Sequence, residues 1–553
     1  MEVDQAHYRR ELLPILKHIA NAKFITLDLE MSGISTRPKY SSGDRSHDAG
    51  KPTLQQQYDE MRSAAETFQV LQFGITCVEE DHFYLARPYN FNLNPLSAEG
   101  VDLRLDRTFT FSTSACDFLN KNGFDFGKVF KEGVPYLSRD EEEERRAEHS
   151  QRANKNASIP DIVVGPDDLS TLEFSRLARK TIKDWFSDPT PDMSFVNIGS
   201  DAGALNGFQR RLVHQLVRNE FPTLRTFPRN DGYFMQVEHL DVKKEEEFQK
   251  RKDARFNTLI AKQKGLRWIF EALSGGDLSG IDPEWFYNPT AEDSDEQWLK
   301  VQRELAQVTQ TLRRKKHIIV GHNLFADLAF LFRTFIGHLP INVKHFQEDI
   351  HVLFPYVIDT KFVATYGNDA MNPRSNLKEL LAPFHKTHVP LILLHQSHTA
   401  YGAEFGKEHE AGFDSWMTAE LFVKLAASKC LETNVEAESM SSSDSSVGGV
   451  CLFESDRDSS SDDAPPGWHA RKLNAKANAN TNPYAVLGLD FDKENDKDSA
   501  GSRQWLPAFN HKFWDIYVNK LRVNASETGF CDLAEREDDE RLNGLRLPLR
   551  QVL

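Results

Sequence analysis

An α/β fold is predicted by three features of the sequence. Short apolar runs rich in branched and aromatic residues read as strands, longer segments carry apolar residues at helical spacing, and the two kinds alternate along much of the chain. Tyr8 to Ala20 opens the pattern with Leu12, Leu16 and Ile19 on one helical face, Pro14 being compatible only with a first turn. Phe24-Ile25-Thr26-Leu27 follows as a buried strand. Phe68 to Val78 and Phe83 to Phe91 read as neighbouring strands of the same sheet, and the polar stretch from Ser35 to Thr53 as a loop. His317 to Val320 then repeats the strand signal. Gly321-His322-Asn323 turns it into a helix ending near Ile336, with Leu324, Leu328, Leu331 and Phe335 on one face. A last helix is expected from Phe413 to Ala427.

Between these halves the texture changes. Helical patterns at Thr171 to Phe186 and Gly207 to Asn219 lie beside turn-rich segments such as Asp188-Pro-Thr-Pro-Asp192, which predicts a small inserted α/β domain. Lys243 to Arg255 interleaves both charge signs and reads as an exposed helix leading back to the main fold. The expected organisation is a main domain from 1–166 and 244–428, an insert at 167–243, a disordered linker at 429–501 and a short C-terminal module at 502–553. That linker is rich in serine and acid, with too few apolar groups to offset the entropy of ordering. Trp505 to Leu533 recovers two tryptophans, so part of the module is expected to fold or to dock on the body.

The bulk properties narrow the function. No apolar run approaches the ~18 residues of a membrane span, and Met1 to Arg10 is polar, so a soluble protein of the nucleus or cytoplasm is expected, with no membrane partner. The cysteines Cys77, Cys116, Cys430, Cys451 and Cys531 are scattered, without zinc or disulfide spacing. A net charge of −16 argues against a nucleic-acid partner until its distribution is considered. Nine acids between Glu432 and Pro466 face one base, Arg457, so half of the excess lies in a single segment.

Asp28-Leu29-Glu30 places two carboxylates two residues apart at the end of a strand, so both side chains leave the same face. Behind the apolar Phe24 to Leu27 run, such a pair needs cations or strong donors. Asp327 and Asp414 sit at helix starts, where an acid is also favoured simply by the helix dipole. His409 precedes Asp414 by five residues. Together these residues suit two-metal phosphodiester hydrolysis better than zinc chemistry, because magnesium prefers carboxylate and water oxygens. Two Mg2+ ions about 4 Å apart are the expected cofactors, and His409 is the expected proton acceptor.

The segments FITLDLEMSGI (24 to 34), LNGFQRRLVHQ (205 to 215), IIVGHNLFADLAFL (318 to 331), FPYVIDTKFVATY (354 to 366) and HEAGFDSWMTAELF (409 to 422), with a long stretch from 115 to 143, resemble the poly(A)-specific ribonuclease family in order and content. The resemblance spans most of residues 1 to 428. It implies a DEDD exonuclease of ribonuclease H-like fold, related to the CAF-type deadenylases, that removes nucleotides from RNA 3′ ends as 5′-mononucleotides. Metal-binding roles fall on Asp28, Glu30, Asp327 and Asp414, and the base role on His409, with Mn2+ able to replace Mg2+. RNA contacts are implied for Ile34, Phe118 and Lys361. The inserted domain would bind nucleic acid through an Arg-x-x-x-His signature, met here by Arg210 and His214. RNA 3′ ends, poly(A) or other single-stranded tails, are the implied partners, and a homodimer the implied assembly. The C-terminal part lacks the aromatic signature of an RNA-recognition fold, which keeps the trimming of non-polyadenylated small RNAs open as a substrate alternative. Two other readings remain: a DNA 3′-exonuclease of the same fold, separated by comparing ribo- and deoxyribo-oligomers, and a catalytically silent RNA-binding adaptor, whose usual sign is a missing acid.

Overall fold

A computed structural model describes residues 1–36, 52–158, 160–188, 194–200, 203–287, 294–367, 372, 374–385, 387, 389–401, 408–441, 506–523 and 529–534. Most of the Ser35 to Thr53 loop, the Pro189 to Asp192 turn, most of the 429–501 linker and Trp505 lie outside these residues.

Twelve strands form among the described residues, those of the central sheet from near-continuous buried runs: β1 (Phe24–Met31), β2 (Val70–Glu80), β3 (Tyr84–Asn94), β4 (Val134–Pro135), β5 (Phe195–Ile198), β6 (Leu224–Arg229), β7 (Phe234–His239), β8 (Ile318–Gly321), β9 (Tyr356–Asp359), β10 (Ile392–Leu394), β11 (Lys520–Arg522) and β12 (Phe530–Asp532). The central sheet runs β10-β3-β2-β1-β8-β9, with β4 beside β3. β1, β2 and β3 pair antiparallel, whereas β8 joins β1 and β9 joins β8 in parallel. Strand β1 is therefore flanked on both sides, and its apolar residues Phe24, Ile25, Leu27 and Leu29 are buried.

Helices cover both faces. The Gln5–Asn21 helix contributes Leu12, Leu16 and Ile19 to one core, together with Phe73, Phe91, Phe270 and Phe335. The Ala411–Ser441 helix packs Trp416, Leu421, Phe422 and Leu425 on the other, against Phe24, Val78 and Val320. Two expectations need correction. Pro14 lies inside the Gln5–Asn21 helix instead of its first turn. It is exposed, so water can reach the carbonyl that its ring leaves without a donor. The last helix extends to Ser441, into the segment expected to be linker from 429. From Phe413 to Ser441 there is no proline or glycine, and Ala, Leu, Glu and Lys sustain a helix whatever the polarity of the segment.

Within the expected insert, the Leu169–Ser187 and Gly207–Glu220 helices pack on one face of a second sheet, ordered β5-β7-β6. Ala178, Ile182, Val213, Val217, Met235 and Val237 form their shared core.

The described C-terminal residues pack on the body. Trp514 is buried beside Phe422, with ring centroids 5.7 Å apart, and Leu521 and Cys531 of the β11–β12 hairpin join the main core. Asn519 clamps the outer edge of β9: its N–H donates to Val357 O at 2.7 Å, its Oδ1 accepts from Val357 N at 3.1 Å, and its Nδ2 donates to Pro355 O at 2.9 Å. No helix among the described residues is long and apolar enough to cross a membrane.

Candidate active site

The acids of β1 lie where the strand leaves the core. Asp28 stands opposite Gly74 and Glu30 opposite Gln72, and the pairing with β2 slips between Glu30 and Met31. That irregularity is typical of strands that re-aim a side chain beside a functional centre.

Gly74 admits the third acid. The start of the Ala411–Ser441 helix crosses β2 so closely that a Cβ on Gly74 would stand 2.0 Å from Ala411 O. Polar side chains of the first three strands then hold this helix start: Asn90 Oδ1 accepts from Gly412 N at 3.1 Å, and Thr26 Oγ1 donates to Ser415 O at 2.6 Å. Thr76 Oγ1 meets Ser415 Oγ at 2.8 Å. Asp414 is thereby brought to the end of β1.

Asp327 arrives from the other side, in the first turn of the Phe325–Phe335 helix, and is buried. Before it, Asn323 holds a left-handed conformation with φ 63°, fixed by Asp359 Oδ1 accepting from Asn323 N at 2.8 Å. His322 Nδ1 lies 3.0 Å from Thr360 Oγ1, and the same hydroxyl donates to Gly321 O at 3.0 Å.

Ligand atoms of Glu30, His409 and Asp414 lie within 4.8 Å of one another. Asp28 senses the charges of Asp414, Asp327 and Glu30, which closes the quartet. Burial, then this mutual repulsion, pushes Asp28 and Glu30 far above the usual carboxylate range. Asp327 is raised to about 7 by burial and the neighbouring Asp359, against a backbone hydrogen bond from Leu29. Asp414 is likewise raised to about 7 by burial and by Glu408 and Glu410. Asp414 Oδ1 is buried without a hydrogen-bond partner among the described residues. An orphaned buried oxygen among four crowded carboxylates fits a site for hard divalent cations, because cations would relieve both the desolvation and the repulsion.

His409 also adopts a left-handed backbone, with φ 64°, and the Phe118 ring stands edge-on against its imidazole at 4.6 Å between centroids. A pocket of about 110 Å³ opens beside it, lined by Gln72, Phe124, Lys128 and Glu410 among others.

The structure thus gathers Asp28, Glu30, Asp327, His409 and Asp414, and sets Phe118 against His409. The remaining predicted residues are placed differently. Ile34 is 69% exposed just past β1. Lys361 is half-buried in the first turn of the Thr360–Thr365 helix, beside Asp359 and Arg522, its amine lowered by burial. Arg210 and His214 lie on the Gly207–Glu220 helix, in the unit built on the second sheet. Sequence reasoning missed three participants: Gly74, Asp359 and His322. Asp359 is a fifth, fully buried carboxylate, its pKa raised by burial although it accepts backbone hydrogen bonds from Asn323, Lys361 and Arg522. His322 is pushed down to about 3 by burial and by Lys361, so it is a neutral hydrogen-bonding group. The turn Gly321-His322-Asn323 was the signal for His322, and Asp359 stood unremarked within FPYVIDTKFVATY.

Comparison with known proteins places this centre in a family. A model described as CAF1 family ribonuclease matches residues 3–422. An uncharacterized protein of Schizosaccharomyces pombe is 27% identical over 442 residues, covering 76% of this chain and 92% of that one. The poly(A)-specific ribonuclease PARN of Homo sapiens is 24% identical over 438 residues, covering 77% of this chain and 62% of that one. The pre-piRNA 3′-exonuclease trimmer of Bombyx mori is 26% identical over 369 residues, covering 66% of this chain and 58% of that one. The match therefore spans about three-fifths of the length of these two nucleases. Among solved structures, S. pombe Pop2p in its Mg2+ and Mn2+ bound form superposes with a TM-score of 0.33 and 12% identity, over 77% of this chain and 91% of that one. A family match that takes in all five residues gathered at the end of β1 establishes that the chain belongs to the CAF1 family of ribonucleases.

Proposed function

We propose that the chain is a divalent-metal-dependent 3′→5′ exoribonuclease that shortens single-stranded RNA tails and releases 5′-mononucleotides. One observation carries this reading: Glu30, His409 and Asp414 offer ligand atoms within 4.8 Å of one another, beside Asp28, in a chain that belongs to a ribonuclease family.

Asp28, Glu30, Asp327 and Asp414 are the residues that would hold the cations. Two Mg2+ ions, or Mn2+ in their place, would supply the positive charge that stabilises the attacking and leaving oxygens. His409 Nδ1 or Nε2 takes the proton of the attacking water, and Phe118 fixes the plane of its ring. The helix start held by Thr26, Thr76 and Asn90 keeps Asp414 and His409 at constant separation from β1. Ile34, exposed at the strand exit, offers an apolar contact to a terminal base, and Lys361 a charge for a backbone phosphate.

Purified protein incubated with 3′-oligo(A) RNA and Mg2+ is expected to release AMP stepwise, and Asp28→Ala to release none. Equal, negligible shortening by both proteins sinks the assignment. A deoxyribo-oligomer degraded as fast as its RNA counterpart would instead favour the DNA exonuclease. The names of the relatives cover both poly(A) and pre-piRNA substrates. Competition between oligo(A) and mixed-sequence tails at one site decides between them. The homodimer belongs to the same reading and is tested by sedimentation.

A further inference from the structure

One row of polar side chains crosses the central sheet from the acid centre to its edge. Glu30 of β1 stands opposite Gln72 of β2, and Gln72 opposite Asn92 of β3. Gln72 shares a face with Gly74, two residues on, and so lies under the start of the Ala411–Ser441 helix. Residues 1–3 take the next place beside β3: Asn90 N donates to Met1 O at 2.9 Å, and Val3 N to Asn90 O at 3.0 Å. Glu2 thereby comes within reach of Asn92.

These side chains are joined end to end. Ala411 N donates to Gln72 Oε1 at 3.3 Å, Gln72 Nε2 to Asn92 Oδ1 at 3.0 Å, and Asn92 Nδ2 to Glu2 Oε1 at 3.2 Å. Gln72 and Asn92 are buried, so their amides must be satisfied within the row. Its direction is forced from both ends. A backbone N–H only donates and a carboxylate only accepts, which leaves each amide between them one orientation. Lys128 holds the outer end, its Nζ 2.9 Å from both carboxylate oxygens of Glu2.

The inner end bears on His409. A residue other than glycine keeps a left-handed backbone, here with φ 64°, only where its surroundings impose it. Asn90, Thr26 and Thr76 hold the helix start further on, at Gly412 and Ser415. The bond from Ala411 N to Gln72 acts two residues from the imidazole. Glu2, Gln72 and His409 also line the same pocket of about 110 Å³.

We infer that Gln72, Asn92 and Glu2 are positioning residues that fix the backbone at His409 and with it the aim of its imidazole, and that the row works through the polarity set by the Glu2 carboxylate. Given the exoribonuclease reading, that aim governs proton transfer and leaves RNA binding alone.

The test sets polarity against charge pairing in the full chain. Exchanging the partners, in Glu2→Lys/Lys128→Glu, keeps an ion pair but puts a donor at the outer end. Asn92 must then turn its oxygen outward and its amide nitrogen toward Gln72, whose own nitrogen is left facing the Ala411 N–H. In Mg2+, kcat for oligo(A) shortening is expected to fall about tenfold, as for one buried donor without an acceptor, with KM held within about twofold. Gln72→Met removes the acceptor at the inner end and should show the same split. Lys128→Met loses the ion pair but leaves the carboxylate facing Asn92, so its kcat should fall less than in the exchange. The aim of the ring is read separately, without metal, by NMR of isotope-labelled histidines. His409 stands 4.6 Å from the Phe118 ring, and its ring-current-shifted resonance, assigned by its loss in His409→Gln, should move in the exchange and in Gln72→Met. An exchange variant as active as the parent, or more active than Lys128→Met, overturns the inference. An unmoved His409 resonance overturns it too, as does a rise in KM in place of the fall in kcat. A moved resonance in a chain that shortens no RNA leaves the positioning row in place and removes only the nuclease reading.

Discussion

A Cβ on Gly74 would meet the Ala411 carbonyl oxygen at 2.0 Å, a distance no relaxation of a side chain can relieve because both partners are backbone. Gly74→Ala therefore pushes the helix that carries Asp414 away from Asp28. The expected result is a loss of about 1–3 kcal/mol in denaturant unfolding, as for overpacked cores, together with at least a tenfold fall in RNA-shortening rate. Full activity at reduced stability would show that the helix start can move without disturbing the acids. The residue scale is also where sequence reading was uneven. Asp28 and Glu30 could be paired from alternation alone, since both sit on one strand. Gly74 could not, because its need for a missing side chain arises from a crossing between segments more than three hundred residues apart. Asp359 was hidden for a related reason: its partners Asn323 and Arg522 come from two other elements.

At the scale of elements, periodicity located β1, β2, β3, β8 and the helices beside them, because each buries one continuous apolar face. It failed where local and distant forces disagree, as at Pro14, and where a helix outlasts its apolar face, as beyond Ala427. The tryptophans of the C-terminal segment did predict that it folds or docks on the body, but not where, since its hairpin is seated by hydrogen bonds along the β9 edge. Asn519→Ala leaves Val357 N without its side-chain acceptor and Pro355 O without its donor. Unfolding experiments should show a loss of about 2 kcal/mol, because Val357 N is buried and Pro355 O partly so. The Asp359–Asn323 contact next to the hairpin predicts a lower kcat with KM for short RNA nearly unchanged. A proportionate rise in KM alone would show that the hairpin supports substrate binding and not the turn before Asp327.

For the molecule as a whole, four acids gathered in one buried place make stability depend on pH and on cations. Asp327 and Asp414 rise from the ordinary 3.8 to about 7, so between those values the folded chain holds protons that the unfolded chain has released. Their contribution therefore falls as pH rises through this window and is most unfavourable above it. Without metal, the melting temperature should decline from pH 5 to pH 7.5 by more than in Asp414→Asn, which carries one charge fewer. Mg2+ should raise it more at pH 7.5 than at pH 5, because binding competes with protons. An equal Mg2+ response at both values would mean that the cations bind elsewhere.

Order of synthesis follows from the same architecture. Asp28, Glu30, Asp327 and Asp414 have all left the ribosome before Asn519 and Arg522 are made, yet these later residues clamp the edge strand and hold Asp359, which in turn fixes the turn before Asp327. A nascent chain thus carries every acid of the centre before it carries the segment that seats them, and it does so while tethered to a messenger RNA. Late closure of the sheet would spare that message. Chains stalled before Asn519 should leave an added oligo(A) intact, whereas chains released after Leu533 should degrade it.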